Sequence, residues 1–349
     1  VVTLVDVRDA HRIDVGALAP VLAGALPEAQ PPFALQQFQG GQSNPTFLLT
    51  DRAGRRYVLR KKPPGNILPS AHAVEREYAA MRALGPAGVP VPVARLLCED
   101  ASVIGTAFYV MDYVDGRVLT DLRLHDIAQA DRAAYYMAMA DGLAALHRVD
   151  WRSAGLQHFG RPEAYVSRQI ARWSKQYLAS EPEPNADMEA LIAWLPAHLP
   201  QEEPAVVAHG DYRLGNLMFA PEGPRLLAIL DWELATIGHP LADLAYCASF
   251  YRLPHDAGAF SGLGGLDLGE LGIPDEQALL RHYCAGVGRP VPLEEWPFFL
   301  AFSLFRSAAI GQGVFDRSRR GNAADARAHL YLDMMRNCAR VGWEIASGR

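Results

Sequence analysis

The chain has 349 residues, 50% of them apolar, and a formal net charge of −6. That length exceeds one small core and predicts two lobes, each with apolar side chains enough to fill it. The modest negative charge speaks against bulk nucleic-acid binding, so no nucleic-acid partner is expected.

Cys98, Cys247, Cys284 and Cys338 lie far apart without C-x-x-C spacing and read as buried free thiols of a reducing compartment. No signal peptide is visible, and the longest apolar run, residues 296–305, is too short for a bilayer and ends at Arg306. The expectation is a soluble cytoplasmic protein with no membrane partner.

Residues 1–32 read as an N-terminal arm with a helix over 15–26, closed by Pro31-Pro32. Residues 33–62 read as a β-meander with strands over 33–39, 46–50 and 56–61. Its first turn holds Gly40, Gly41, Gln42, Ser43 and Asn44, where glycines let the backbone approach a phosphate. A Gly-Gly turn taken alone is equally a plain hairpin. The third strand carries Arg60, Lys61 and Lys62, and alternation puts Arg60 and Lys62 on one face. A helix over 70–84, with Ser70 as N-cap, shows an apolar stripe of Val74, Tyr78, Met81 and Leu84. Glu77 borders that stripe, where it can pair with the basic strand or form a surface ion pair of little worth.

Strands over 96–99 and 106–113 follow, and Met111, Asp112 and Tyr113 lead to a boundary near Gly116. The remainder reads as mainly helical: 127–148, ending at His147 as a cap or core contact, then 163–178, 188–198, 275–288, 293–312 and 323–347.

The chemistry concentrates in residues 207–246. Asp211 and Asn216 share the loop His-Gly-Asp-Tyr-Arg-Leu-Gly-Asn, and Asp231 follows a strand-like apolar run at 226–230. A carboxylate to meet a substrate hydroxyl, with an amide oxygen and a second carboxylate for Mg²⁺, is what metal-dependent phosphoryl transfer requires. No His/Cys spacing suggests zinc.

These motifs, H-G-D-Y-R-L-G-N-L-M-F and I-L-D-W-E-L-A-T-I-G-H-P-L-A-D-L-A-Y, resemble those of the aminoglycoside phosphotransferase/choline-kinase-like family, and more closely the kinase-like domains related to those fused to some acyl-CoA dehydrogenases. The resemblance runs from about Phe38 to about Tyr246 and loosely into the helical tail. It implies a bilobal, protein-kinase-like α+β fold. Residues 33–116 would form an antiparallel-sheet lobe with one helix, binding nucleotide, and 117–349 a mainly helical lobe, catalytic and acceptor-binding. The implied cofactors are ATP and Mg²⁺.

By this resemblance Asp211 is the catalytic aspartate, Asn216 and Asp231 are metal ligands, and Gly40 to Asn44 form the phosphate loop. Glu77 holds the basic residue of the third strand, and the backbone at Met111 to Tyr113 meets adenine. Many relatives read V-L-K where this chain has Val58-Leu59-Arg60, so Arg60 matches the phosphate-binding lysine, with Lys61 or Lys62 as substitutes. Arg213 either neutralises the transferring phosphoryl group, meets an anionic substrate, or is solvated. Glu233 either assists the metal or meets a substrate amine. His209 would orient the loop through its backbone, and Asp243 would brace it.

On the acceptor side, Asp316 and Asp325 face Arg306, Arg317, Arg319, Arg320 and Arg327, a balance that disfavours a polycationic aminoglycoside and suits a hydroxy acid or CoA thioester, unless residues 317–320 are a solvated loop tip. The expected activity is transfer of the ATP γ-phosphoryl group to a small-molecule hydroxyl. A nucleotide-binding pseudokinase or regulatory module is the alternative, motivated by Arg60. The short interval between Asp231 and Asp243 leaves little room for the activation segment of a protein kinase.

Overall fold

The structure, a computed structural model, describes residues 3–39, 44–63, 73–180, 183–201, 204–257, 260–319 and 328–349. Its strands are β1 (Leu4–Val5), β2 (Ala34–Phe38), β3 (Thr46–Thr50), β4 (Arg56–Lys61), β5 (Ala94–Cys98), β6 (Phe108–Asp112), β7 (Arg117–Val118), β8 (Val206–Ala208), β9 (Leu217–Phe219), β10 (Leu226–Ile229) and β11 (Thr236–Gly238). Its helices are α1 (Val15–Ala25), α2 (Val74–Leu84), α3 (Ala101–Ile104), α4 (Gln129–His147), α5 (Tyr165–Ala179), α6 (Ala186–Ala197), α7 (Pro240–Ser249), α8 (Leu268–Leu271), α9 (Glu276–Val287), α10 (Trp296–Arg319) and α11 (Ala328–Ser347). They fall into two compact units of discontinuous sequence.

The first unit gathers Val1–Leu119, Arg152–Leu156 and Gly215–Ala235. Its main sheet has the order β1-β2-β3-β4-β6-β5, antiparallel at every pairing. Strand alternation divides the side chains between two faces. Phe47, Leu49, Tyr57, Leu59, Phe108 and Val110 pack with Leu18 and Leu22 of α1. The opposite parity, Val58, Arg60 and Tyr109, turns to the other face, where α2 buries Val74, Glu77, Ala80, Met81 and Leu84.

Asp14 caps α1 by accepting from the Gly16 and Ala17 amides at 2.8 and 3.2 Å. The expected N-terminal arm is therefore part of this unit, because β1 edges its sheet and α1 closes its core. A small sheet, β10-β9-β7, completes it. Gly116 permits the close approach of β7 to β9: a Cβ there would stand 2.6 Å from the Met218 side chain and the Phe219 carbonyl. The motif strands β9 and β10 thus lie with the N-terminal sheet rather than in the helical part, where the expected 117–349 division put them.

The second unit comprises Thr120–Trp151, Gln157–Leu214 and Thr236–Arg349. It is helical apart from the β8–β11 ribbon. Helix α10 runs well past the expected 293–312 segment to Arg319. It is long and apolar enough to cross a membrane by length and composition, yet 83% of its most apolar window is buried. It packs against α5, α6, α7 and α11, and it is the core helix of this unit. The cysteines are free, with Cys247, Cys284 and Cys338 buried and Cys98 half-buried.

Candidate active-site elements

Within the first unit, one guanidinium gathers the acidic motif residues. Arg60 Nε lies 3.1 Å from Glu77 Oε2, a terminal nitrogen lies 2.8 Å from Asp231 Oδ1, and the same nitrogen is 3.7 Å from Glu233. The Arg60 side chain is 12% exposed and that of Glu77 1%. Burial alone would lower the Arg60 pKa, but Glu77, Tyr109, Asp231 and Glu233 together hold it above its ordinary value. Burial pushes the Glu77 carboxyl up to about 7, against the pull of Arg60. Both directions follow from an acid-rich, poorly solvated cluster in which the guanidinium stays charged.

The neighbouring basic residues go elsewhere. Lys61 is buried on the α1 face with its ammonium 5.8 Å from the Phe47 ring centre, and burial lowers its pKa. Lys62 pairs with Glu75 at 2.9 Å. Arg60 is accordingly the cation that meets Glu77.

Asp231 adopts φ 65° at the end of β10, a left-handed conformation uncommon outside glycine and tolerated best by Asn and Asp. The turn is pinned from both sides. Trp232 is buried and its indole N–H donates to the Ile229 carbonyl at 3.0 Å, while Arg76 of α2 donates to the Ala235 carbonyl at 3.1 Å. The Leu230 amide donates to the Asn216 carbonyl at 2.8 Å, which sets Asn216 beside the residue preceding Asp231. Asn216 and Asp231 offer hard oxygen donors, and no group of three or more His, Cys, Asp or Glu suited to hold a metal unaided occurs among the described residues. That donor set fits Mg²⁺, which takes few protein ligands and completes its shell with phosphate and water.

The expected phosphate loop is divided. Gly40, Gly41, Gln42 and Ser43 lie outside the described residues, as do Ser70, Arg320, Asp325 and Arg327. Asn44 is fully buried and its amide nitrogen donates to Glu77 Oε1 at 2.7 Å, so its side chain serves the acidic cluster. At the expected adenine-binding segment, the Asp112 and Tyr113 amides already donate to the Val93 and Arg56 carbonyls, at 2.9 and 3.4 Å. Asp112 also holds Arg95 through both carboxylate oxygens, at 2.7 and 2.8 Å.

In the second unit, a braced loop presents Asp211. Gly210 adopts φ 83°, a conformation that favours glycine. Buried Asp243, in the first turn of α7, accepts from the His209 amide at 2.5 Å and the Gly210 amide at 2.8 Å. His147 Nε2 stands 3.5 Å from Asp243, and its Nδ1 lies 2.6 Å from the Tyr283 hydroxyl. Burial alone would raise the Asp243 carboxyl, but His147, His209 and the Gly210 amide hold it below its ordinary value.

The Asp211 amide donates to His209 Nδ1 at 3.2 Å, and Arg213 Nε lies 3.5 Å from the Asp211 carboxylate. The Tyr246 hydroxyl bonds to Asp211. Arg306, buried on α10, donates to the Gly210 carbonyl and lies 5.4 Å from the Tyr246 ring centre.

Arg306 therefore leaves the acceptor-side charge balance to which the sequence assigned it. Its location inside an apolar helical run was the available signal, because a buried guanidinium needs acceptors. Of the two roles expected for His147, cap or core contact, the buried side chain takes the second, as one link in the brace beneath Asp211. Tyr246 had no signal beyond its place in the motif.

The profile of the phosphotransferase enzyme family matches residues 34–280. Acyl-CoA dehydrogenase family member 10 of Mus musculus is 44% identical over 342 residues, 98% of this chain and 32% of that protein. Acyl-CoA dehydrogenase family member 11 of Gallus gallus is 43% identical over 348 residues, 98% of this chain and 44% of that protein. The chain thus spans less than half the length of these curated relatives. The crystal structure of a candidate aminoglycoside phosphotransferase from Ralstonia eutropha JMP134 is similar with a TM-score of 0.88 and 44% identity, covering 97% of this chain and 99% of that one. Choline kinase from Cryptosporidium parvum Iowa II, 15% identical, shares the fold with a TM-score of 0.61 over 92% of this chain and 95% of that one. With a kinase-like α+β fold and a family match over most of its length, the chain belongs to the phosphotransferase enzyme family.

Proposed function

We propose that the protein transfers the γ-phosphoryl group of ATP to a hydroxyl of a small-molecule acceptor. The observation that carries this reading is Arg60, a buried cation held by Glu77 and Asp231 in the first unit. It supplies fixed positive charge for nucleotide phosphates. Asn216 and Asp231 are the proposed holders of Mg²⁺, which when bound neutralises charge on the phosphates. Asp211 is the proposed base: it takes the hydroxyl proton as the acceptor oxygen bonds to the γ-phosphorus and the bond to the ADP oxygen breaks. Arg213, beside Asp211, is proposed to orient that carboxylate or to meet the developing phosphoryl charge.

The proposed acceptor is a hydroxy acid or a hydroxyacyl-CoA. The names of the relatives, acyl-CoA dehydrogenases, support that class. An aminoglycoside acceptor is the second reading, favoured by the description of the Ralstonia eutropha structure. Mg²⁺-dependent ATP consumption across hydroxy acids, hydroxyacyl-CoAs, choline and aminoglycosides tests both, with Asp211→Asn in parallel. The expected result is turnover on a hydroxy acid or its thioester, reduced at least ~100-fold in the variant, the scale of general-base catalysis. Nucleotide binding without turnover on any acceptor would favour a regulatory module, and no nucleotide binding would overturn the proposal.

A further inference from the structure

Arg60 is only as well placed as the carboxylate that holds it, and Glu77 is itself held. In the antiparallel register Arg60 of β4 stands opposite Tyr109 of β6 on one side and Thr46 of β3 on the other. Directly opposed residues share a sheet face, so Tyr109 reaches the side of the sheet on which α2 carries Glu77. Asn44 enters β3 two positions before Thr46, and the Thr46 hydroxyl donates to the Asn44 carbonyl at 3.1 Å.

The two side chains then divide the Glu77 carboxylate between them. Asn44 Nδ2 donates to Oε1 at 2.7 Å, and the Tyr109 hydroxyl donates to Oε2 at 3.1 Å. Oε2 is also the atom that meets Arg60 Nε. Asn44, Glu77 and Tyr109 are 0%, 1% and 2% exposed, so water has little part in these bonds. The Tyr109 ring lies 6.4 Å from that of Tyr78 on α2, which limits its freedom to turn away.

We propose that Tyr109 and Asn44 are positioning residues for the nucleotide site, fixing the Glu77 carboxylate so that Arg60 is aimed at the phosphates. The proposal rests on the reading of Arg60 as the phosphate-binding cation. A carboxylate gripped by one donor on each oxygen has a single useful orientation, and Arg60 inherits it. Loss of either donor leaves a buried carboxylate oxygen short of a partner and frees the pair to rearrange. Asn44 therefore acts through Glu77 instead of touching nucleotide itself.

A double-mutant cycle on MgATP affinity, measured by calorimetry, tests this. Tyr109→Phe keeps the ring and its packing and removes only the hydroxyl. It is expected to weaken MgATP binding about tenfold, one hydrogen bond to a charged group. In a Glu77→Gln background the same substitution is expected to change affinity less than about twofold, because the route through Glu77 is already cut. Asn44→Ala serves as a second probe, with the same non-additivity expected. In turnover the loss should fall on KM for ATP more than on kcat. Additive losses in the cycle, or an unchanged affinity for Tyr109→Phe, would overturn the proposal while leaving the kinase reading intact. Failure of the unaltered protein to bind MgATP would overturn both.

Discussion

Glu77 lies where burial and ion pairing pull in opposite directions. Its carboxyl is pushed up to about 7 from an ordinary 4.5. A group whose folded pKa is raised contributes stability below its unfolded pKa, and that contribution is lost as pH rises through the folded value. The window for Glu77 therefore runs from about 4.5 to about 7. The melting temperature of the wild type relative to Glu77→Gln is expected to fall across that window, since glutamine does not titrate. A difference that stays flat between roughly pH 5 and 8 would show that the charge cluster solvates Glu77 better than its burial suggests. At this scale the sequence was informative where spacing carried the signal. Helix face set Glu77 at the edge of the buried stripe, whereas strand parity left Arg60 and Lys62 together and only the family resemblance singled out Arg60. Asn44 could not be placed by spacing, because nothing in a Gly-Gly-Gln-Ser-Asn turn says whether its amide meets a phosphate or turns inward to a carboxylate.

The loop before Asp211 is an element whose shape depends on another element. Asp243, on α7, accepts from two consecutive amides of that loop through its two oxygens. Asparagine at this position keeps one acceptor and presents an NH₂ to the other amide. Each buried hydrogen bond to a charged acceptor is worth about 1.5–3 kcal/mol, so Asp243→Asn should lower the melting temperature by several degrees and cut kcat about tenfold or more. MgATP affinity, which the proposed function assigns to residues of the first unit, should change little. Calorimetric binding and thermal melts on the same preparation check this, and a selective loss of nucleotide affinity would contradict the assignment.

The longer elements follow from local pattern. The strands β2 to β4 and the helices α1, α4, α5, α6 and α9 lie within a few residues of where alternation, helical periodicity and caps put them. The short strands β1, β7, β8, β9 and β11 run two or three residues each and exist through pairing alone. A window that short has no period to read. The extent of α10 was hidden for a different reason: as a core helix it is apolar around most of its circumference, so it lacks the amphipathic stripe that marks where a surface helix stops.

The division of the molecule into units was the least legible feature, because the chain passes between them more than once. The segment Gly215–Ala235 carries Asn216 and Asp231 and belongs with the N-terminal sheet, although it follows the helices α4 to α6 in sequence. Its hydrophobic side chains show why. Leu217, Phe219, Ala228, Ile229 and Trp232 are all essentially buried, β9 pairs with β7, and the Ile229 amide donates to the Pro90 carbonyl at 2.8 Å. A nucleotide held by Arg60, Asn216 and Asp231 would therefore stabilise segments far apart in sequence but within one unit. Saturation with a ligand at about 100 times its Kd adds roughly 2.7 kcal/mol to the stability of the state that binds it. Hydrogen exchange with and without MgATP should accordingly show added protection over β4, α2 and residues 215–235 together, with smaller changes in α5, α6 and α11. If protection stopped at β4 and α2 and left 215–235 untouched, Asn216 and Asp231 would lose their place in the nucleotide site, and the metal-binding role proposed for them would fall with it.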